Sequence, residues 1–275
     1  PRSGTTLLQK CILTSSSVYS KGESWLLLPL LNLDKRDFII SGYAHASASV
    51  GINEQIQALD NQSDYYKILN KFVFEFYSKL AKGNKYFLDK TPRYHLILDN
   101  LYKIHSDSLF ILIFRNPLAI CSSIINTWGN GRLNKLYFNW TDIVDGPRNL
   151  IRESESSKII LSYEELLRNP EKEIKKISSF LNIDDIDITN LKPSTSKLGD
   201  KGVFSSYDKI KMGEYDDNWK KNVNSKFRKI LALRYLRIIP DLYLKNCNIS
   251  RDSLINEINS IRTYKIGFLD ILDFV

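Results

Sequence analysis

Apolar and polar positions change along the chain in short, separable blocks. Residues Thr5–Thr14 read as a helix that follows a turn. The stretch Glu54–Leu80 is largely helical, with apolar residues at Ile56, Leu59, Ile68, Leu69, Phe72, Val73 and Phe76. Lys85–Leu88 reads as a strand closely followed by Pro92, and Tyr94–Ile104 as a helix. Ser108–Phe114 is a continuous apolar run of strand length that stops at Arg115-Asn116-Pro117; Leu118–Trp128 then takes up helical periodicity. Lys158–Leu161 is a short β-rich run. Tyr163–Leu167 and Glu171–Leu181 are helical, broken at Asn169-Pro170, and Ile174, Ile177 and Leu181 form a core-facing stripe. Short apolar strands alternating with helices predict an α/β fold with a central parallel sheet and helices on both faces. Ligands of such sheets bind beyond the carboxyl ends of the strands, so the strand-to-helix loops are where chemistry is expected.

Composition narrows this picture. At 275 residues, 43% hydrophobic and 25% charged, with 12 Gly and 8 Pro, the chain is neither a disordered tail, nor collagen-like, nor a disulfide-dense mini-protein. The length suits one large α/β domain or at most two modest ones, and no repeat or low-complexity linker divides it. A single domain over residues 1–275 is expected. The first residue is Pro1, not Met, and no signal-peptide pattern follows. The native N-terminus, with a strand preceding the first motif, is therefore expected to be missing. No run approaches the ~18 apolar residues of a membrane span.

Charge points to a partner class without choosing within it. The 39 basic against 31 acidic residues give a net charge of +8, which favours a polyanionic partner. No dense Lys/Arg block or aromatic-interleaved basic stripe marks a nucleic-acid surface, so none is expected as partner. Cys11, Cys121 and Cys247 are far apart, with no zinc or redox spacing. Their odd number favours a reducing compartment, and the location expected is cytoplasmic. No metal requirement is visible.

Two motifs carry chemistry. The first is Pro1-Arg2-Ser3-Gly4-Thr5-Thr6, a Gly- and hydroxyl-rich turn that opens a helix. Free N–H groups at a helix N-terminus and the macrodipole favour a phosphate. Gly4 allows close backbone approach, Ser3, Thr5 and Thr6 supply hydroxyls, and Arg2 supplies charge. Read alone, the segment also fits an ordinary helix capped by Ser3 or Thr5. It is not a Walker A sequence, since no Lys precedes Thr5-Thr6. The second motif is Arg115 at a strand end with Ser123 eight residues on, in the following helix. Such a pair can grip one phosphate from two sides; taken alone, the pair reads rather as a surface ion pair and a helix filler.

Together the two motifs resemble the family of sulfotransferases that use 3′-phosphoadenosine-5′-phosphosulfate (PAPS). In that family PRSGTT is the 5′-phosphosulfate loop, and an Arg followed eight residues later by a Ser binds the 3′-phosphate. A third segment, Ile159 to Glu171, is similar to the family's strand and YE-(E/D)-L-x-x-(N/H)-P element, so the resemblance runs from Pro1 to about Asn182. It implies a P-loop-like three-layer α/β/α fold, PAPS as sulfuryl donor, and a hydroxyl or amine acceptor. It also implies Arg2, Ser3, Gly4, Thr5, Thr6, Arg115, Ser123 and Tyr163 as cofactor-binding residues. Lys201, in Lys201-Gly202, matches part of an R-K-G element and is a further cofactor-binding candidate.

The catalytic groups implied are of the tyrosylprotein and bacterial type. The His of the cytosolic K-T-H pattern is replaced here by Pro92, in Lys90-Thr91-Pro92. Those other relatives place a Glu about 21 residues after the loop Arg, which here is Glu23 in Gly22-Glu23. Glu23 is the expected general base and Lys90 the cation at the leaving phosphate; His95 is the reserve base. Segments 41–61 and 129–148, with His45, are expected to line the acceptor pocket. Two other readings stay open: an adenosine-bisphosphate-binding protein without catalysis, and a P-loop nucleotide kinase. Acceptor identity and oligomeric state are not legible.

Overall fold

The computed structural model describes residues 1–104, 107–152, 157–189, 191 and 217–264. In chain order the elements are α1 (Thr5–Ile12), β1 (Val18–Tyr19), α2 (Leu27–Leu30), α3 (His45–Gln57), α4 (Ser63–Ala81), β2 (Tyr86–Phe87), a 3₁₀ turn (Tyr94–Leu96), α5 (Leu98–Ile104), β3 (Phe110–Phe114) and α6 (Pro117–Trp128). There follow α7 (Asn134–Phe138), a π-helical turn (Thr141–Asp145), α8 (Gly146–Leu150), β4 (Lys158–Ser162), α9 (Tyr163–Arg168), α10 (Pro170–Leu181), α11 (Trp219–Asn222), α12 (Lys226–Ile238), α13 (Asp241–Asn246) and α14 (Arg251–Ser260). The protein is a mixed α/β molecule in which helices dominate.

Both strand pairings are parallel, as the alternation of strands and helices predicts. β1 pairs with β2 in the register Val18 to Tyr86, and β3 pairs with β4 in the register Phe110 to Lys158. The described strands thus form two parallel pairs. Several boundaries differ from the sequence reading. The expected helix Glu54–Leu80 is two helices, α3 and α4, separated by Ala58–Gln62, where the polar run Asp60-Asn61-Gln62 interrupts the apolar stripe. Tyr94–Ile104 opens as a 3₁₀ turn before α5. β1 is only two residues long, too short for periodicity to reveal.

Side chains of β3 alternate between two cores, as the pleat requires. Ile113, with Leu161 of β4, packs against Leu7, Leu8, Cys11 and Ile12 of α1 and against Ile174, Ile177 and Leu181 of α10. Leu112 and Phe114 face the other way, onto Trp219, Leu236, Ile239, Tyr243 and Leu254. Helices therefore cover both faces of the β3–β4 pair. A third cluster joins Leu27 of α2 and Leu31, its C-cap, to Val73 of α4 and Leu101 of α5.

Between the strand pairs runs a cavity of about 920 Å³, lined by Tyr86–Leu88 on one side and Phe110–Ile113 on the other. At one end it reaches Ser3, Thr5, Lys90, Thr91 and His95. No described helix is long and apolar enough to cross a membrane.

The α10 stripe makes a direct test. Ile177 is fully buried whereas Ile160 of β4 is 42% exposed. Ile177→Ala is expected to cost about 2–5 kcal/mol in denaturant unfolding, and Ile160→Ala about 1 kcal/mol or less.

Candidate functional site

The first motif is built as a bare helix N-terminus. Gly4 is the N-cap of α1, at φ 92°, and no side chain caps the helix. The ordinary Ser3 or Thr5 cap is therefore absent, and the first-turn N–H groups have no side-chain acceptor. Gly4 is required twice over. Its φ is left-handed, and a Cβ there would stand 2.2 Å from the Tyr163 ring. Tyr163, the first residue of α9, thus lies directly on the loop.

The second motif meets the first at close quarters. β3 ends at Phe114, and Arg115 follows it, buried, at the start of the turn into α6. Its Nη1 donates to the carbonyl of Arg2 at 2.5 Å. The guanidinium lies 4.4 Å from the centroid of the Tyr163 ring, within cation–π range. Arg2, at φ 62°, sends its side chain across to α6: Nε donates to Ser123 Oγ at 2.8 Å and Nη2 to Thr127 Oγ1 at 3.1 Å. Arg2, Gly4, Arg115, Ser123 and Tyr163, drawn from three separated segments, form one cluster. Ser3 and Thr5 face the cavity beside it, and Thr6 lies in the first turn of α1.

The turn after β3 is held by a buried carboxylate. Glu164 Oε1 accepts from the Asn116 N–H at 2.8 Å, and Asn116 Oδ1 caps α6 through the Leu118 N–H. Burial pushes the Glu164 carboxyl up, while the Asn116 N–H and the charge of Arg115 work against that rise. From the other side, Tyr243 of α13 donates its hydroxyl to the Arg115 carbonyl at 3.0 Å. Asn222 at the end of α11 donates to Ser122 Oγ at 2.7 Å. Helices α11 and α13, from the C-terminal third of the chain, thus buttress the Arg115 turn and the start of α6. Buried Tyr243 shows no local pattern that could have revealed this.

The proposed catalytic pair is in direct contact. Lys90 Nζ donates to Glu23 Oε1 at 2.6 Å, with both side chains 11% exposed. The two residues are 67 apart in sequence and come together through a network beside them. Asp89 accepts from the hydroxyls of Ser24 at 2.8 Å, Tyr94 at 2.6 Å, and Tyr77 of α4. Ser24 adjoins Glu23 and Asp89 adjoins Lys90, so this one carboxylate fixes both flanks. Burial and the Asp89 charge push the Tyr77 and Tyr94 hydroxyls well up, so both stay protonated donors.

A second carboxylate stands nearby, in the π-helical turn. Asp142 Oδ1 lies 2.9 Å from His95 Nε2, and Oδ2 takes Nε and Nη2 of Arg93 at 3.2 and 3.1 Å. Burial works to raise the Asp142 carboxyl, but the His95 hydrogen bond, the charge of the Pro1 amino group and Arg93 together outweigh it and hold the group below its ordinary range. His95, the reserve base, is buried and engaged with this carboxylate, and it also borders the cavity. His45 is buried and bonded to the Lys35 carbonyl. Trp219 is a core residue, and Lys220 pairs with Asp217 and Glu257. Burial pushes the thiols of Cys11 and Cys121 up to about 12, so their thiolate forms are disfavoured at neutral pH. Lys201 lies outside the described residues. No cluster suited to a metal ion occurs among the described residues.

The family is now defined on two grounds. The description "Sulfotransferase family" matches residues 1–187, which hold every element of this cluster except the buttressing helices. The chain belongs to that family. It is similar to "Nodulation protein NoeE" of Sinorhizobium fredii, 26% identical over 208 residues, covering 67% of this chain and 48% of the relative. It is also similar to a "Putative protein-tyrosine sulfotransferase" of Caenorhabditis briggsae, 22% identical over 192 residues, covering 66% of this chain and 63% of the relative. The chain thus spans about half to two thirds of the length of these relatives.

Asp142 sets a pH test. A carboxyl held below its unfolded value stabilises the fold above about pH 4, and that stability is lost as pH falls through the folded value. Wild type should therefore melt above Asp142→Asn at neutral pH, and the gap should close as acid protonates Asp142. A gap that stayed constant down to low pH would contradict the assignment.

Proposed function

We propose that this protein transfers a sulfuryl group from PAPS, as donor substrate, to an acceptor hydroxyl or amine. The observation that carries the reading is the junction of the two phosphate motifs. Arg115 binds the backbone of Arg2, and Arg2 reaches Ser123, so the uncapped N-terminus of α1 and the Arg115/Ser123 pair face one site. The cluster fits a nucleotide with two separate phosphate groups. Bare N–H groups, hydroxyls and two guanidinium groups converge there, and Tyr163 offers an aromatic face. In this reading Ser3, Gly4, Thr5 and Thr6 take the phosphosulfate end, and Arg115 with Ser123 takes the 3′-phosphate. The two parallel strand pairs then belong to one P-loop-like three-layer core within a single domain.

Glu23 acts as general base and Lys90 as the cation beside the leaving phosphate. Their contact at 2.6 Å supports the pairing, since each role needs the two groups within reach of one transfer line. In the step, the acceptor oxygen bonds to sulfur while the bond from sulfur to the bridging oxygen breaks. The electron pair stays on that oxygen, where Lys90 offsets the charge, and the acceptor proton passes to Glu23. Lys90 must turn from Glu23 towards the phosphate for this to occur. No metal is called for in this scheme. The relatives' names are compatible with a protein acceptor, as the tyrosine sulfotransferase name indicates for that protein.

Two measurements test the reading. Adenosine 3′,5′-bisphosphate at ~100 times its Kd should add roughly 2.7 kcal/mol, raising Tm by about 5–10 °C. ATP and AMP should do much less, and Arg115→Ala should abolish the rise. No rise in wild type would overturn the donor assignment. Glu23→Gln should lower kcat about 10²–10⁴-fold; near-normal turnover would remove the base assignment.

A further inference from the structure

Glu23 has a second partner that the sequence did not point to. Trp25 Nε1 donates to Glu23 Oε2 at 3.1 Å, so the two carboxylate oxygens are held by different donors, Lys90 on Oε1 and the indole on Oε2. Trp25 is itself fixed from three sides. Its backbone N–H donates to Thr91 Oγ1 at 3.1 Å, docking it beside Lys90. Its ring lies 5.9 Å from the Arg93 guanidinium, and Arg93 is anchored on the buried Asp142 carboxylate. Its φ is 55°, the left-handed region in which a bulky residue is rare. Such a conformation costs free energy and persists only where the surroundings over-determine it. A core-packing role does not account for this, because Trp25 is 38% exposed.

We infer that Trp25 is the positioning residue of the base, holding Oε2 so that Oε1 takes the acceptor proton. This rests on the assignment of Glu23 above. In the resting pair Lys90 occupies Oε1, and a closed ion pair cannot serve as base. When Lys90 turns to the leaving oxygen, Oε1 is released and the carboxylate loses one of its two anchors. The indole N–H remains on Oε2, so the carboxylate keeps its plane and presents Oε1 to the acceptor. Asp142 acts on the base at a distance, through Arg93 and the indole ring.

The test begins with the protein free of ligand. Among the four indole N–H resonances, the one missing in Trp25→Phe belongs to Trp25. That resonance should lie downfield in wild type and move upfield in Glu23→Gln, because the donor then meets a neutral amide. With donor and acceptor present, Trp25→Phe keeps a ring but loses the N–H; kcat should fall roughly tenfold while the acceptor KM stays within about twofold. Trp25→Gly, which relieves the left-handed backbone, should show at least the same loss in kcat and serves if Trp25→Phe folds poorly. An unmoved resonance, or normal kcat in Trp25→Phe, would overturn the role of Trp25 alone. Normal turnover in Glu23→Gln would remove the base itself, and the two failures are thereby distinct.

Discussion

The buried guanidinium of Arg115 is the constraint on which the site depends. A cation 7% exposed is tolerated only where its charge and its N–H groups find partners. Here one N–H binds the Arg2 carbonyl, the face of Tyr163 receives the charge, and the residue's own carbonyl takes the Tyr243 hydroxyl. These contacts draw in the first loop, the start of α9 and the helix α13. The β3–β4 pair supplies the rigid base from which they radiate, with its two faces filled by separate cores. A group that must be both charged and buried organises its neighbours more strictly than an apolar one, since each unmet donor carries a penalty.

The Glu23–Lys90 end of the site follows a similar logic with the opposite sign. Asp89 is the charged centre there, and three hydroxyl groups from the Glu23 loop, α4 and the 3₁₀ turn close around it. Its neighbours in sequence and space, Lys90 and Ser24-Glu23, are thereby brought into register. Asp142 repeats the pattern one step outward, with Arg93 and His95. Two carboxylates, Asp89 and Asp142, thus flank and hold the third, Glu23. Networks of this kind are strong when every member is satisfied, which explains why so much of the site's polarity is spent on itself.

Some of this was legible in the residues. The apolar run ending at Arg115, the Gly-containing loop opening α1 and the stripe Ile174, Ile177 and Leu181 all stand where the periodicity places them. The loop motif and the Arg115/Ser123 spacing are local patterns, and local backbone chemistry makes them readable. The join at Asp60-Asn61-Gln62, the two-residue β1 and the π-helical turn carrying Asp142 were not visible. Each is too short for a repeat to register, and each is set by packing. The buttress from Tyr243 was equally hidden, because a Tyr in an ordinary helix announces neither burial nor partner.

The chain's order of residues was enough to determine the α/β class, the Gly-containing loop that opens α1 and the Arg that follows β3. These rest on interactions within a few residues: pleat and helix periods, a left-handed Gly, an Arg at a strand end. Tertiary structure alone decided that Glu23 touches Lys90 across 67 positions, that Trp25 takes the second carboxylate oxygen, and that Arg2 leans on Ser123. Those contacts depend on which face each element buries and on which charges must be neutralised once buried. Such sums run over the whole folded chain, and no single stretch of sequence contains them.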